Sequence, residues 1–246
     1  MKIKLKGEAA MAKNTIQSVF FVLVMCFCLA GCNARVRTVH LAPQAGAADV
    51  YVGKKLVQSD LEYKDISGYS ASDPGLVDFK LLPTAREGPV LADGWLKLYI
   101  NQYVTVAAVG TSSADMHLVM YSDDLETDSF NAKVRIIHAS PDAPSLDVAV
   151  NRIEKDGTIN TTYTEYCEPK EPEYKNLCFK DASTYETFNP GNYEIKAYIA
   201  TSNTTAVKIP QMTLCPGMNY TIFIVGLTRD NSLTTMSVID SGQEGP

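Results

Sequence analysis

Apolar and polar residues alternate with a period of two through much of this chain, the spacing of strands that bury one face. Within 35–40, Val36, Thr38 and His40 fall on one side and Arg35, Arg37 and Val39 on the other. Residues 133–138 repeat the arrangement, with Val134, Ile136 and His138 opposite Lys133, Arg135 and Ile137. Farther on, Tyr193, Ile195, Ala197 and Ile199 alternate with Glu194, Lys196, Tyr198 and Ala200, which predicts a half-buried strand. The stretch YTIFIVG at 220–226 is apolar on both faces and predicts a central strand of a packed sheet. Pro, Gly and Asp punctuate these runs about every ten residues and no amphipathic helix stands out, so the expected fold is an all-β sandwich.

The pattern is also written twice. ARVRTVHLAPQAGAADVYV at 34–52 superposes without a gap on AKVRIIHASPDAPSLDVAV at 132–150, with nine of nineteen positions identical. The matches include Arg37/Arg135, His40/His138, Pro43/Pro141 and Asp49/Asp147, all at an offset of 98. The following stretches align at an offset of 116, where Tyr69, Pro74-Gly75, Lys80, Leu98, Thr105 and Val109-Gly110 meet Tyr185, Pro190-Gly191, Lys196, Leu214, Thr221 and Val225-Gly226. The change of offset assigns 18 extra residues to the second copy, between Val150 and Tyr185. A repeat of about a hundred residues has the size of a domain and not of a solenoid unit. Two tandem sandwiches of about seven strands each are therefore expected. They would occupy 32–122 and 131–241, with an acidic linker at 123–130, an inserted loop at 151–184 and a short tail at 242–246.

Upstream, an apolar run from Ile16 to Ala30 follows Lys2, Lys4, Lys6 and Lys13, and ends in Leu29-Ala30-Gly31-Cys32. Basic residues, a short apolar core and small residues at the cut describe a secretory signal over 1–31, too short for a comfortable membrane span. A plain transmembrane anchor is the other reading, and Ala30 and Gly31 argue against it. The Leu-Ala-Gly-Cys ending resembles the bacterial lipobox. That resemblance implies that Cys32 is acylated, becomes the mature N-terminus and holds the protein to the membrane of a bacterial cell envelope. Asn33, in place of an aspartate, favours the outer membrane where the host has one. The whole chain carries a formal charge of −6, and without 1–31 it carries −9. Such an acidic surface repels phosphate backbones and excludes nucleic acid as a natural partner.

A strand reading K/R-V-R-I-I-H-A-S-P-D-A-P, then D-V-x-V, with a later Y-T-x-x-x-V-G strand, resembles the DUF4397 family of bacterial envelope proteins. KVRIIHASPDAPSLDVAV and YTIFIVG carry the likeness most fully, and the first copy departs from it at LAPQAGAADVYV. The resemblance spans 34–240 as two copies. It implies an immunoglobulin-like or transthyretin-like β-sandwich on a secreted or anchored protein, and no known activity.

Several residues invite chemistry. Cys167 and Cys178 flank the polar loop CEPKEPEYKNLC, and export permits a disulfide between them, contributing roughly 3 kcal/mol at best. Cys215 is then left over. His40 and His138 are each followed nine residues later by Asp49 and Asp147. This pair could serve a metal-dependent hydrolase, or the ring could hydrogen-bond its own loop while the Asp caps a turn. Residue duplication favours the structural role, because a residue that holds a fold together is copied with the fold. Asp124, Glu126 and Asp128 alternate in the linker; the commoner role of such a run is a solvated acidic linker without metal, and the other reading is that they hold calcium and stiffen an adhesin-like tandem array, although the glycine and final glutamate of an EF-hand loop are missing. Tyr163, Tyr166, Tyr174 and Phe179 crowd the inserted loop, either as a contact surface for an envelope protein or glycan or as the groups that fold the loop onto its domain. No nucleophile elbow, HExxH, P-loop or dinucleotide fingerprint is present. The sequence thus points to a non-catalytic, lipid-anchored envelope protein without cofactor, acting as a binding or spacer module.

Overall fold

The computed structural model describes residues 33–84, 88–153, 159–160, 173–202 and 204–240. Its described elements are all strands. In chain order they are β1 (Ala34–Leu41), β2 (Ala48–Val52), β3 (Lys55–Leu61), β4 (Ser70–Ser72), β5 (Gly75–Pro83), β6 (Ala92–Leu98), β7 (Tyr103–Val109) and β8 (His117–Ser122) in the first half. The second half contributes β9 (Ala132–His138), β10 (Leu146–Ile153), β11 (Ile159–Asn160), β12 (Tyr174–Leu177), β13 (Glu186–Phe188), β14 (Gly191–Ile199), β15 (Thr205–Leu214), β16 (Asn219–Val225) and β17 (Thr234–Ile239).

The first half builds an outer sheet of order β3-β2-β5-β6 and an inner sheet of order β4-β1-β7-β8. The second half builds an outer sheet β11-β10-β14-β15, with β12 also on β10, and an inner sheet β13-β9-β16-β17. Within each inner sheet one pair is parallel, β1 with β7 and β9 with β16, and the remaining ladders are antiparallel. Registers correspond across the halves: Arg35 faces Tyr103 where Lys133 faces Asn219, and Val50 faces Leu81 where Val148 faces Ala197.

Alternation explains the cores. The first sandwich closes on Val36, Val104 and Val106 from the inner sheet against Phe79 and Leu98 from the outer, with a second cluster around Val50, Leu81 and Ala108. The second closes on Val134, Ile136, Ile222 and Ile224 against Val148, Val150 and Ile195. Each buried branched side chain contributes about 1.5–3 kcal/mol. The opposite faces of the two inner sheets are apolar as well and pack on one another, through Val39, Leu41, Ala107 and Val109 against Ile137, Ala139, Phe223 and Val225. The layers therefore run outer, inner, inner, outer. This accounts for YTIFIVG: β16 is covered on both faces, by its own core on one side and by the first half on the other.

The span 151–184 is not one excursion. Asn151–Ile153 prolong β10, and β12 returns as a core edge strand with Tyr174 and Leu177 buried. Leu177 faces Leu146 as Leu61 faces Ala48 in the first half. Residues 180–183 then close on β9 as 64–67 close on β1, with the same main-chain bonds: Lys180 N–H to His138 O and Ser183 N–H to Ile136 O match Lys64 N–H to His40 O and Ser67 N–H to Thr38 O. The 18 extra residues thus fall between β10 and Tyr174.

Candidate functional site

Arg37 and Arg135 stand on the faces of β1 and β9 that meet between the halves, at the edge of the apolar cluster, and both are buried. A buried guanidinium must be paired and hydrogen-bonded or it is very costly. Each is paired across the interface. Arg37 Nη2 donates to Asp240 Oδ1, and Arg135 Nη2 donates to Asp123 Oδ1 at 2.6 Å. Asp123 follows β8 and Asp240 follows β17, so each half offers its own Arg and receives the other's. Asp123 Oδ2 also lies 3.6 Å from Arg37 Nη2, joining the two pairs into one cluster.

Arg135 Nη1 makes one more bond across the interface, to Ser122 O at 2.7 Å, and the threonine and tyrosine hydroxyls of each half complete the set. Thr105 Oγ1 accepts from Arg37 Nε at 2.7 Å and donates to Asp123 Oδ2 at 2.7 Å, while the Tyr69 hydroxyl donates to the same oxygen at 2.7 Å. In the second half Thr221 Oγ1 accepts from Arg135 Nε and Nη2, at 3.1 and 2.8 Å, and donates to Asp240 Oδ2 at 2.7 Å; the Tyr185 hydroxyl reaches that oxygen at 2.8 Å. Each guanidinium also lies over its own tyrosine ring, 4.8 Å from the Tyr69 centroid and 4.6 Å from that of Tyr185. Burial together with the facing carboxylate holds both phenols far above their ordinary range, so they remain donors. Burial works against the charge on Arg37, but the fields of Asp123 and Asp240 outweigh it and raise its pKa. The cluster is a reciprocal clamp with pseudo-twofold symmetry.

Beside the clamp lies an open cleft of about 460 Å³, walled by Met120, Tyr121 and Asp124 from the first half and by Arg135, Ser183, Thr184 and Tyr185 from the second. Tyr121 also crosses the interface, its hydroxyl donating to Lys180 O at 2.9 Å. The walls offer hydroxyls and an aromatic edge.

The repeated histidines do other work. His40 and His138 are fully buried, and both ring nitrogens of each bind main chain. Nδ1 accepts from Ala42 N–H or Ser140 N–H, each at 3.3 Å, which leaves the proton on Nε2 to be donated to Gly46 O at 2.8 Å or Pro144 O at 3.1 Å. Burial pushes both pKa values down and keeps the rings neutral. Asp49 and Asp147 face different partners: Asp49 Oδ1 accepts from Asp60 N–H at 2.9 Å and Asp147 Oδ1 from Asn176 N–H at 2.7 Å. Asp60 and Asn176 sit at positive φ, 53° and 51°, and the carboxylate holds each left-handed residue in place. The His/Asp pair expected of a hydrolase is therefore not formed in either half.

The linker carboxylates are also separated by their duties. Asp123 is no linker residue but the buried acceptor of the clamp. Asp124 Oδ2 is held by Lys133 Nζ at 2.7 Å, Asp128 Oδ1 caps Phe130 N–H at 2.9 Å, and Glu126 contributes its carbonyl to Lys133 and Asn219. Among the described residues no three His, Cys, Asp or Glu side chains gather into a group that could hold a metal ion, and Asp124, Glu126 and Asp128 do not converge. Tyr174 is not a contact residue either. Its ring lies in the second core and its hydroxyl donates to Val134 O at 2.7 Å. Phe179 is half-buried against the cluster between the halves. Cys32, Tyr163, Tyr166 and Cys167 lie outside the described residues. Cys178, the other half of the expected disulfide, is exposed with its thiol 3.4 Å from Ser145 Oγ, and Cys215 is exposed too.

Sequence reasoning aligned Arg37 with Arg135, Tyr69 with Tyr185 and Thr105 with Thr221, but it did not join them. The signal available was a third level of repetition, Asp123 with Asp240, which ends each half one residue past its last strand. No curated protein matches this chain. Residues 34–149 match the model of the domain of unknown function DUF4397, a span covering the first half and reaching through β9 into β10.

Proposed function

We propose that this chain is a non-catalytic, lipid-anchored protein of the bacterial cell envelope, in which two tandem DUF4397 domains are locked into one rigid spacer that presents a binding surface. The observation that carries the reading is the clamp. Four buried charges are satisfied only when the two halves are in contact, and an apolar face that either half alone would expose is covered by the other. Parting the two domains would break both cross-pairs and return the apolar face to water, so the contact between them is favoured. The repeated polar residues serve the fold: His40 and His138 brace loops, and Asp49 and Asp147 hold left-handed turns. The cleft beside Arg135, with its hydroxyl-rich wall, suits a polar envelope partner such as a glycan or a peptide side chain. The lipobox-like ending at Cys32 supplies the anchor.

Two measurements test this reading. Small-angle scattering of the mature chain is expected to fit one compact particle, and Arg37→Met with Arg135→Met is expected to lengthen it; a flexible, extended wild type would overturn the rigid spacer. Radiolabelled fatty acid is expected to mark the wild type and not Cys32→Ser, which should accumulate as uncleaved precursor. Label retained in that variant would remove the lipid anchor.

A further inference from the structure

Exposed large apolar side chains are unevenly spread over the molecule. Among the described residues, nine large apolar side chains are exposed: Leu56 and Trp95 on the first outer sheet, Val90 between β5 and β6, and Leu76, Tyr99, Ile100, Phe130, Met218 and Ile239, with Phe130 exposed to 82%. The last six lie at one end. Asn33 O accepts from Asn101 N–H at 3.2 Å, which sets the first described residue against the Tyr99–Gln102 turn. The parallel strands β1 and β7 both leave from there, and Leu76 neighbours the β5–β6 pair Gly75–Leu98 at the same level. After β8 the chain returns to this end, Asp123 N–H donating to Tyr103 O at 2.8 Å, before the linker leads to Phe130. Lys133 N–H to Met218 O, at 3.0 Å, brings the β15–β16 turn against the start of β9, and Ile239 pairs with Tyr220 at the start of β16. The linker shows that these are the same end of both halves: Asp123 is bonded to Tyr103 at the start of β7, and the next residue, Asp124, accepts at its carbonyl from Asn219 Nδ2 at the start of β16, at 2.7 Å. Among the described residues, the opposite end, with the loops after His40, Gly110, His138 and Gly226, carries Val90 alone of these nine.

We infer that this apolar rim lies in the headgroup boundary of the bilayer to which Cys32 is anchored, with the strands of both inner sheets rising from the membrane. The inference rests on the lipid-anchor reading above and adds an orientation and a second contact to it. Cys32 is one residue from Asn33, and a single residue spans at most about 3.6 Å, so a lipid on Cys32 leaves no tether to lift this end away. Aromatic and aliphatic side chains at the water–lipid boundary are favourable there and supplement an acyl anchor. The mature charge of −9 argues that apolar contact and not attraction to anionic lipid supplies this supplement. Asp124 is already neutralised by Lys133, and Asp128 is occupied with its own turn.

The test uses the full chain, matured in a bacterial host and reconstituted into phosphatidylethanolamine/phosphatidylcholine vesicles carrying a doxyl quencher at shallow acyl depth. The chain has one tryptophan, Trp95, exposed on β6, and Trp95→Phe silences it. In that background a reporter is placed by Ile100→Trp, by Phe130→Trp, or at the far end by Ala114→Trp, all exposed positions whose replacement leaves the cores intact. Reporters at 100 and 130 are expected to shift to the blue and to be quenched about threefold or more strongly than the one at 114, as for side chains seated about 5–10 Å into the interface. Mass spectrometry of the N-terminal peptide separates the two claims. An acylated Cys32 with equal quenching at all three sites overturns the orientation and leaves the anchor standing; an unacylated Cys32 overturns both.

Discussion

Replacing Asp240 by asparagine removes one charge from the clamp without changing its volume. Asp240 accepts three side-chain donors, from Arg37, Tyr185 and Thr221, and its side chain is fully buried. The amide nitrogen of asparagine would face either a guanidinium or two hydroxyls, and Thr221 Oγ1 cannot simply turn away because it also accepts from Arg135. Breaking one partner out of a buried pair costs about 3–5 kcal/mol. The second carboxylate, Asp123 at 3.6 Å from Arg37 Nη2, retains part of the attraction, which sets the expectation at the lower end, about 3 kcal/mol. For a chain of this size that corresponds to a fall in melting temperature on the order of 10 °C. Urea titration of the mature chain followed by circular dichroism measures the loss, with Asp78→Asn as control, since Asp78 pairs with a half-exposed Lys80 at the surface and such pairs contribute little. Adding Arg37→Met to Asp240→Asn should cost less than the two single changes together, because the stranded charge is removed. An Asp240→Asn variant no weaker than Asp78→Asn, or strict additivity in the double variant, would refute the clamp.

Stability should be flat above pH 6.5 and fall as pH drops towards 5. Burial lowers the folded pKa of His40 and His138 below the ordinary 6.5, so the unfolded chain binds protons that the folded chain refuses; unfolding titrations with both residues changed to Gln should lose that slope. Gly226→Ala should destabilise by roughly 2–4 kcal/mol or prevent folding, since an added Cβ would meet Ser232 O at 2.3 Å on a residue with φ of 93°. Tyr174→Phe should cost about 1 kcal/mol in the same assay, by removing the hydroxyl's bond to Val134 O in the core, while keeping the near-ultraviolet signature of a folded protein.

What the sequence determined by itself is local and repeated. Period-two alternation sets which residues of β1, β9 and β14 share a face, because side chains on a strand point alternately to either side, and the offsets of 98 and 116 carry the pairing registers of one half onto the other. Even the two-sided burial of β16 was legible in YTIFIVG. The sites were not legible, for a reason visible in Arg37. On a strand, an arginine alternating with Val39 and Leu41 reads the same whether its face meets water or another sheet, and its partner lies 203 residues away. Asp123 looked like the first residue of a solvated acidic linker because its neighbours are acidic; only the packing of one inner sheet on the other makes it a buried counter-ion. Tyr174 was misplaced in the same way, since the shift of offset located the extra residues only to within 151–184, and it took the pairing of Leu177 with Leu146 to show that the end of that span is core. Alternation records what each strand can bury. Which surface buries it was decided by contacts between residues far apart in the chain, and those exist only once both halves have folded and met.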